Sequence, residues 1–119
     1  MNNQSTGKLG ETLARHYLEE NGYSIIDTHV TFQWGEIDII AKREDIIAFV
    51  EVKTRFSLRQ GKPYESITWS KRNHLRRSMQ AYILQHHLLN SKLALDLVSI
   101  ELQPGEIPPK ITLYKNIPL

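Results

Sequence analysis

Two neighbouring apolar segments separated by a short charged turn constrain the fold of this chain more than any other feature. Residues 36–42 and 46–55 are rich in Ile, Val and Phe, and an Arg-Glu-Asp turn lies between them. This pattern is typical of a hairpin of two largely buried strands. Charged side chains interrupt it at Asp38, Glu51 and Lys53. Because a charge in a buried strand is costly without a partner, these three positions are candidate functional residues.

The pleat of a strand predicts which of these side chains share a face of the sheet. Alternate residues point to one face, so we expect Asp38 beside Glu36 on one strand and Glu51 beside Lys53 on the next. The same rule assigns the apolar residues: Ile40 and Phe49 to that face, and Ile37, Ile39, Val50 and Val52 to the reverse. If the hairpin register aligns Asp38 with Glu51, the two carboxylates and the ammonium group of Lys53 converge on a volume the size of a hydrated ion.

The pattern outside the hairpin predicts two helices and further strands. Apolar residues at helical spacing predict a first helix over residues 7–21, which ends at Asn21-Gly22, and a second from a cap near residues 66–70 to about residue 90. On the second helix Lys71 falls near the apolar stripe, so we expect it to lean towards the sheet and the ion site. The other expected elements are a strand and turn at 23–34, a loop at 57–64, and strands at 93–102 and 110–115. The order predicts an α/β fold with a mixed sheet flanked by helices.

Length and composition favour one domain that spans residues 1–119. The chain contains no cysteine, which excludes disulfides and thiolate metal sites and leaves oxygen ligands for any ion. The first residues are polar rather than basic and then apolar, and the longest apolar run is residues 46–50. We therefore expect a cytoplasmic protein without a membrane span.

The formal net charge of +2 hides a basic block. Residues 53–77 contain eight basic residues and one acidic residue, so the remainder of the chain is net negative. A block that begins at the candidate ion site and continues through a loop and a helix is the footprint expected for nucleic acid. A solvated helix face is the alternative explanation. Besides Lys53, the basic residues are Arg55, Arg59, Lys62, Lys71, Arg72, Arg76 and Arg77.

Two carboxylates and a lysine on neighbouring strands are the groups needed to hold a divalent cation and to activate water against a phosphodiester. The structural alternative for Asp38, Glu51 and Lys53 is a partly buried ion pair that sets strand register without catalysis.

Aromatic and histidine residues give weaker signals. Trp34 and Trp69 are candidates for stacking on nucleobases, although packing is the commoner fate of isolated aromatics and is the outcome that we expect. His86 and His87 are adjacent, so their rings cannot share one helix face. We therefore expect His86 in the core and His87 exposed rather than a metal site.

Residues around the three charged positions carry a family resemblance. An Asp, a Glu thirteen positions later, then one residue and a Lys resemble the metal-binding signature of the PD-(D/E)xK nuclease superfamily. The wider pattern resembles the YraN family of small bacterial proteins, which is related in that superfamily to archaeal Holliday junction resolvases. The matching residues are Gly7, Gly10-Glu11, Ala14, Tyr17-Leu18, Gly22-Tyr23, Gly35-Glu36-Ile37-Asp38, Phe49-Val50-Glu51-Val52-Lys53, Gly61, Pro63, Glu65 and Lys71.

This resemblance implies a restriction endonuclease-like core of the order αβββαβ and a set of roles. Asp38, Glu51 and the backbone carbonyl of Val52 would bind Mg²⁺ or Mn²⁺, with Glu11 as a further candidate ligand from the first helix. Lys53 would orient the attacking water and stabilise charge on the phosphate. Glu36 would be an outer ligand or a partner for a basic residue. The implied products carry 5′-phosphate and 3′-hydroxyl ends.

The chain departs from the family pattern at several positions near these residues. His29 and Thr31 stand where Asn and Arg are usual, Ala94-Leu95 replaces a second Arg before Asp96, and Ile37 stands where the superfamily's name has Pro. The chain therefore does not carry those arginines as candidate phosphate contacts.

Three functions are consistent with this sequence. The first is a metal-dependent endonuclease that acts on DNA, with branched or damaged DNA as the substrate that kinship with junction resolvases implies. The second is a nucleic-acid-binding module that retains the fold without cutting, and the third is a protein-interaction scaffold, which would be indifferent to salt. Symmetric cutting of a junction would need a homodimer.

Overall fold

The computed structural model describes residues 3–56, 62–105 and 107–118, with side chains from residue 6 onward. Helix α1 is Asn3–Glu20, and strands β1, β2 and β3 follow as Ser24–Phe32, Gly35–Arg43 and Ile46–Arg55. A short 3-10 turn, Pro63–Ser66, precedes helix α2 at Trp69–Gln85. Strands β4 at Lys92–Glu101 and β5 at Lys110–Tyr114 follow α2.

The strands form one five-stranded mixed sheet in the order β1-β2-β3-β4-β5. Strands β3 and β4 are parallel, and all other neighbours are antiparallel. The parallel pair requires a crossover, which α2 supplies, whereas the β2–β3 connection is the predicted tight hairpin. The predicted α/β fold class with a restriction endonuclease-like core is confirmed.

The two helices pack on opposite faces of the sheet and divide the core into two clusters. On the α1 face, Ala14 and Leu18 pack with Val50 and other residues of the sheet. On the α2 face, Leu75, Met79, Tyr82 and Ile83 pack with Phe49, Leu95 and Leu97. In the part of the chain that the structure describes, no helix is both long and apolar enough to cross a membrane.

Two glycines determine where α1 ends and how closely it packs. Gly22 has φ +88°, and the Tyr23 N–H donates to the Leu18 carbonyl, so the helix ends in the left-handed turn predicted at this site. Gly10 is buried, and a Cβ there would collide with Thr54 Oγ1 of β3. The missing side chain lets α1 approach the sheet and brings the following residue, Glu11, near the end of β3.

The predicted alternation along β2 is wrong at one point. Ile37 and Ile39 were expected on one face, but Ile37 packs in the α2 cluster and Ile39 in the α1 cluster. The described pairing of β2 with β3 begins at Ile39 opposite Val50, and residues 35–38 have no partner on β3. Where the ladder stops, the regular pleat is no longer imposed, and Asp38 lies at the point where the two strands separate.

Candidate active site between β2 and β3

Asp38 is held at the separation of β2 and β3 by a backbone hydrogen bond. Ile39 pairs with Val50, so one further step of the same antiparallel register places Asp38 opposite Glu51. The Val52 N–H donates to Asp38 Oδ2 at 2.9 Å, which replaces a ladder hydrogen bond with a bond to the carboxylate. The observed register therefore ends one residue short of the acidic pair, and the contact that the structure shows for Asp38 on β3 is with the backbone of Val52.

Glu51 is a buried carboxylate with only one of its oxygens partnered. The residue is 6% exposed, and its Oε2 lies 3.0 Å from the Nζ of Lys71 on α2. Its Oε1 is buried and has no hydrogen-bond partner among the residues that the structure describes. A buried acceptor without a partner is costly, so a ligand that reached this oxygen would lower the free energy.

Burial and mutual repulsion disfavour the charged forms of both carboxyl groups. Burial raises the pKa of Asp38, although the hydrogen bond from Val52 and the charge of Lys71 oppose the change. Burial also raises the pKa of Glu51, the nearby charge of Asp38 raises it further, and Lys71 lowers it. The single cation therefore does not balance the two buried acids, and a second positive charge at this position would be stabilising.

A histidine beside this pair links α1 to β2. His29 Nε2 lies 2.6 Å from Glu11 Oε2, and His29 Nδ1 lies 2.9 Å from Glu36 Oε1. The contact with Glu36 raises the pKa of His29, and burial raises the pKa of Glu11. Glu11, His29 and Asp38 line the same cleft. The proposed further ligand Glu11 is thus near the site but is bound to His29.

His29 was not among the residues that sequence reasoning selected for the site. Its backbone has φ +53°, a left-handed conformation that Asn and His adopt more readily than most residues. This conformation accounts for the tolerance of His where the family pattern has Asn. Only that departure from the pattern marked the position in the sequence.

The two lysines expected near the acidic pair have different environments. Lys71 contacts Glu51, as its place on the helical wheel predicted. Lys53 is exposed, and no ion pair of Lys53 occurs among the described residues. It lies two residues after Glu51 on β3, at the border between the acidic pair and solvent. Its ammonium group is therefore open to a ligand from solution.

The basic block is divided between surface and interior. Lys62, Arg76 and Arg77 are exposed, and Arg72 is half-buried with its Nε donating to the Ile67 carbonyl. Arg55 is 8% exposed, and its buried Nε and Nη2 have no hydrogen-bond partner. Its placement differs from the surface contact expected of it. The predicted contact Arg59 lies outside the described residues.

The structure corrects two expectations about rings. Trp69 was expected to be packed, but it is 79% exposed, whereas Trp34 is half-buried as expected. His86 was expected in the core, but it is exposed at the end of α2 and stacks on Tyr82 with ring centroids 4.1 Å apart. His87 is exposed, as predicted. In both corrections, the residue lies at an end of α2, where the helix extends beyond the apolar face of the sheet.

Another buried carboxylate in the sheet is fully partnered. Asp96 on β4 is 0% exposed, and it accepts hydrogen bonds from Tyr23 Oη at 2.9 Å and from the Asn116 N–H at 2.9 Å. Arg43 Nε lies 3.4 Å from it. Burial raises the pKa of Tyr23, and the Asp96 carboxylate, which the ionised form would repel, raises it further. Asp96 is therefore a structural anchor, in contrast to Glu51.

The donor set fits a divalent cation at the acidic pair. Hard divalent cations prefer carboxylate and carbonyl oxygens, and Asp38 and Glu51 supply carboxylates while Val52, the residue after Glu51, supplies a backbone carbonyl. Across the residues that the structure covers, no three His, Cys, Asp or Glu side chains form a metal-binding group by themselves. Any cation held here therefore needs ligands beyond side chains.

Comparison with known proteins identifies relatives along almost the entire chain. The model of the uncharacterised protein family UPF0102 matches residues 10–100. A UPF0102 protein of Dehalococcoides mccartyi is 41% identical over 115 residues, which cover 97% of this chain and 93% of that protein. A UPF0102 protein of Caldicellulosiruptor bescii is 40% identical over 118 residues and covers 98% of both chains. The region that the family model matches includes Asp38, Glu51 and their neighbours on β2 and β3.

Proposed function

The chain belongs to the uncharacterised protein family UPF0102, the YraN-type family that its motifs predict, and we propose that it is a metal-dependent endonuclease acting on DNA. One observation carries this proposal above the others. Two desolvated carboxyl groups, Asp38 and Glu51, lie near each other where β2 separates from β3, and one buried oxygen of Glu51 has no hydrogen-bond partner among the described residues. The restriction endonuclease-like fold supports the same assignment.

The residues that would hold the cation are Asp38, Glu51 and the carbonyl of Val52, with Glu11 available if it leaves His29. Mg²⁺ or Mn²⁺ in this position would supply Lewis acidity, lowering the pKa of water and neutralising charge on a phosphodiester. The hydrogen bond from the Val52 N–H fixes the Asp38 carboxylate in place. Fixed ligands reduce the reorganisation needed on binding, so this bond is a positioning contact for the site.

Two lysines would act on the substrate side of the pair. Lys71 holds Glu51 Oε2 at 3.0 Å and so orients the carboxylate while leaving Oε1 free for the cation. Lys53 presents an ammonium group to solvent two residues further along β3, where it would stabilise negative charge that develops on the phosphate. Their roles differ: Lys71 positions a ligand, and Lys53 contacts the reacting group.

The surface beside the site is suited to a polyanion. Helix α2 contains four basic residues and no acidic residue, and Arg76 and Arg77 on it are exposed. Lys62, the residue before the 3-10 turn, is also exposed. Cations in this number make affinity for nucleic acid strong and dependent on salt. Branched or damaged DNA is the substrate class that we propose, and two symmetric cuts in a junction would require a homodimer.

The alternative proposal is a nucleic-acid-binding module that does not cut. The observation in its favour is the ion pair of Lys71 with Glu51, which partly neutralises the carboxylate without any metal. In this alternative, Asp38 and Glu51 set strand register, and the basic surface provides the activity. The two proposals differ in whether the acidic pair binds a divalent cation.

Calorimetric titration with Mn²⁺ tests the proposed site directly. We expect saturable binding to the wild-type protein and its loss in Asp38→Asn and in Glu51→Gln, with Glu20→Gln, an exposed acid at the end of α1, as the matched control. Equal binding in all four proteins would exclude the site.

Cleavage is then measured on branched, single-stranded and duplex DNA with Mg²⁺ or Mn²⁺. We expect cutting that Asp38→Asn and Lys53→Ala abolish and Glu20→Gln retains. Cutting that persists in both site variants would come from a contaminant and would refute the mechanism. Mn²⁺ binding without cutting of any substrate would favour the binding module.

A further inference from the structure

The most exposed aromatic side chain of the described residues is Trp69, the first residue of α2. It is 79% exposed, whereas Trp residues in folded proteins are highly buried on average. An indole ring left in water at a fixed place on a helix is a large apolar surface without a partner. Such surfaces commonly mark binding sites.

The face of α2 that continues from Trp69 is basic. Residues three, four and seven positions further along a helix share a face, and here these are Arg72, Asn73 and Arg76. Arg72 uses its Nε on the Ile67 carbonyl, and Arg76 uses one Nη on Asn73 Oδ1 at 3.3 Å. Both guanidinium groups keep further donors. The helix has no acidic residue to compete for them.

We propose that Trp69, Arg72 and Arg76 form a binding stripe for an unpaired nucleic acid strand, with one base stacked on the indole and the phosphates against the arginines. Planar bases stack on exposed aromatic rings, and cations beside the ring hold the backbone, which is the combination that single-strand-binding surfaces use. Seven helical residues span about 10.5 Å.

The stripe selects unpaired bases over the other polyanions that a basic face attracts. In a duplex the faces of the bases are stacked on one another, so only the phosphates would contact α2. An acidic peptide would match the charges but offers no planar ring system to cover the indole. The exposed ring therefore favours a strand with unpaired bases, as found at single-stranded, branched or damaged positions.

The stripe lies beside the acidic pair. Lys71 is two residues from Trp69 and contacts Glu51 from the opposite side of the first turn of α2. A strand held on Trp69 would therefore lie across the first turn of α2 from the candidate metal site. This inference rests on the proposed function for its biological meaning, because it identifies unpaired DNA as the part of the substrate that the site recognises.

The test is a binding measurement that uses no metal. Protein is titrated in EDTA into labelled ten-nucleotide oligothymidine and, separately, into a labelled abasic strand of the same length and charge. Fluorescence anisotropy reports binding. We expect Trp69→Ala to weaken binding of oligothymidine about 5- to 100-fold, from the usual contribution of one stacked base, and to leave binding of the abasic strand unchanged. Trp69→Phe should restore most of the affinity.

Two controls separate stacking from charge and from general damage. Leu84→Ala removes another exposed apolar side chain of α2, 62% exposed, and should change neither affinity. Arg76→Gln should lower the slope of log affinity against log salt by about 0.7 for both strands. The proposal is overturned if Trp69→Ala weakens binding of oligothymidine and of the abasic strand equally, or weakens neither. It is also overturned if Trp69→Ala weakens binding of duplex DNA as much as binding of oligothymidine.

Parallel titrations identify the source of the strand and keep this proposal separate from catalysis. If Trp69→Ala weakens binding of oligouridine as much as binding of oligothymidine, the stripe accepts an unpaired strand of either sugar. If it weakens binding of oligothymidine alone, the strand is DNA. Polyglutamate is then tested as a competitor of oligothymidine. If it competes fully with both the wild type and Trp69→Ala, the face binds polyanions by charge alone, and the proposed stacking on Trp69 is wrong. Since EDTA is present throughout, a positive result here with no Mn²⁺ binding elsewhere would refute the nuclease and retain the stripe.

Discussion

Replacement of Glu51 by Gln should make the metal-free protein more stable, because the wild-type side chain is a buried anion with an unpartnered oxygen. Gln has nearly the same shape, its carbonyl can still accept from Lys71, and it no longer repels Asp38. Lys71 is 48% exposed, so the loss of its anionic partner leaves no buried charge stranded. The amide NH2 group takes the place of the unpartnered oxygen and is a donor that the Asp38 carboxylate can accept, so the substitution removes a buried charge and a repulsion.

The magnitude follows from two opposing contributions. A buried polar group without a partner costs roughly 1–3 kcal/mol. An ion pair with a half-exposed lysine contributes about 0–1 kcal/mol, so we expect a net gain of about 1 kcal/mol, or about 4 °C in Tm for a chain of this length. Bound Mn²⁺ at a hundred times its Kd would instead stabilise only the wild type, by about 2.7 kcal/mol. The wild type should therefore become the more stable of the two proteins when metal is added.

The pH dependence has a defined sign. The pKa values of Asp38 and Glu51 are raised in the folded protein, so the folded state binds these protons more tightly than the unfolded state. The stability of the wild type therefore falls as pH rises from the unfolded values near 4 through the raised folded values. The advantage of Glu51→Gln should be present at pH 7 and vanish below about pH 4.

Urea denaturation followed by circular dichroism in EDTA and in Mn²⁺, between pH 4 and pH 7, measures these differences. If Glu51→Gln is less stable than the wild type in EDTA at pH 7, the ion pair of Glu51 with Lys71 is a stabilising structural contact. That outcome would refute the argument from the unpartnered oxygen. Equal stabilisation of both proteins by Mn²⁺ would show that Glu51 is not a ligand.

Three further predictions follow from contacts near the site. Gly10→Ala should cost about 1–3 kcal/mol in urea denaturation, because the new Cβ meets Thr54 and α1 must move away from the sheet. Glu36→Gln should lower the pKa of His29 towards its ordinary value of 6.5 in an NMR titration, since Glu36 is the main cause of the raised value; an unchanged pKa would exclude their contact. Arg55→Met should leave stability unchanged or raise it by about 1 kcal/mol, because it removes a buried charge whose donors lack partners, and a clear loss of stability would contradict this.

The elements of the fold were predictable because their signals are local. Helical spacing predicted both helices, and the charged turn between two apolar runs predicted the β2–β3 hairpin. The face of Ile37 was not predictable, because the rule of alternation assumes a continuous ladder and β2 leaves β3 at Asp38. The exposure of Trp69 was also not predictable, because the position of the helix end relative to the sheet depends on packing rather than on sequence pattern.

The candidate site was predictable where it follows from register and helical phase. The proximity of Asp38 to Glu51 follows from the hairpin, and the contact of Lys71 with Glu51 follows from the helical wheel. The contact of His29 with Glu11 was not predictable, because it joins two elements whose distance depends on how closely α1 packs on the sheet. Arg55 was assigned to the surface by its charge, and only coordinates could place it inside.

The two buried carboxylates on adjacent strands differ in how completely they are hydrogen-bonded. Asp96 on β4 accepts hydrogen bonds from Tyr23 and Asn116, and Arg43 lies nearby. One carboxylate oxygen of Glu51 on β3, by contrast, has no hydrogen-bond partner among the described residues. A need for stability explains the first and not the second, because this fold can partner a buried acid fully. Asp96→Asn should therefore cost about 1.5–3 kcal/mol in urea denaturation, equally with and without Mn²⁺, the reverse of the behaviour expected for Glu51→Gln. If both substitutions change stability in the same direction and neither depends on metal, the distinction between the two carboxylates fails.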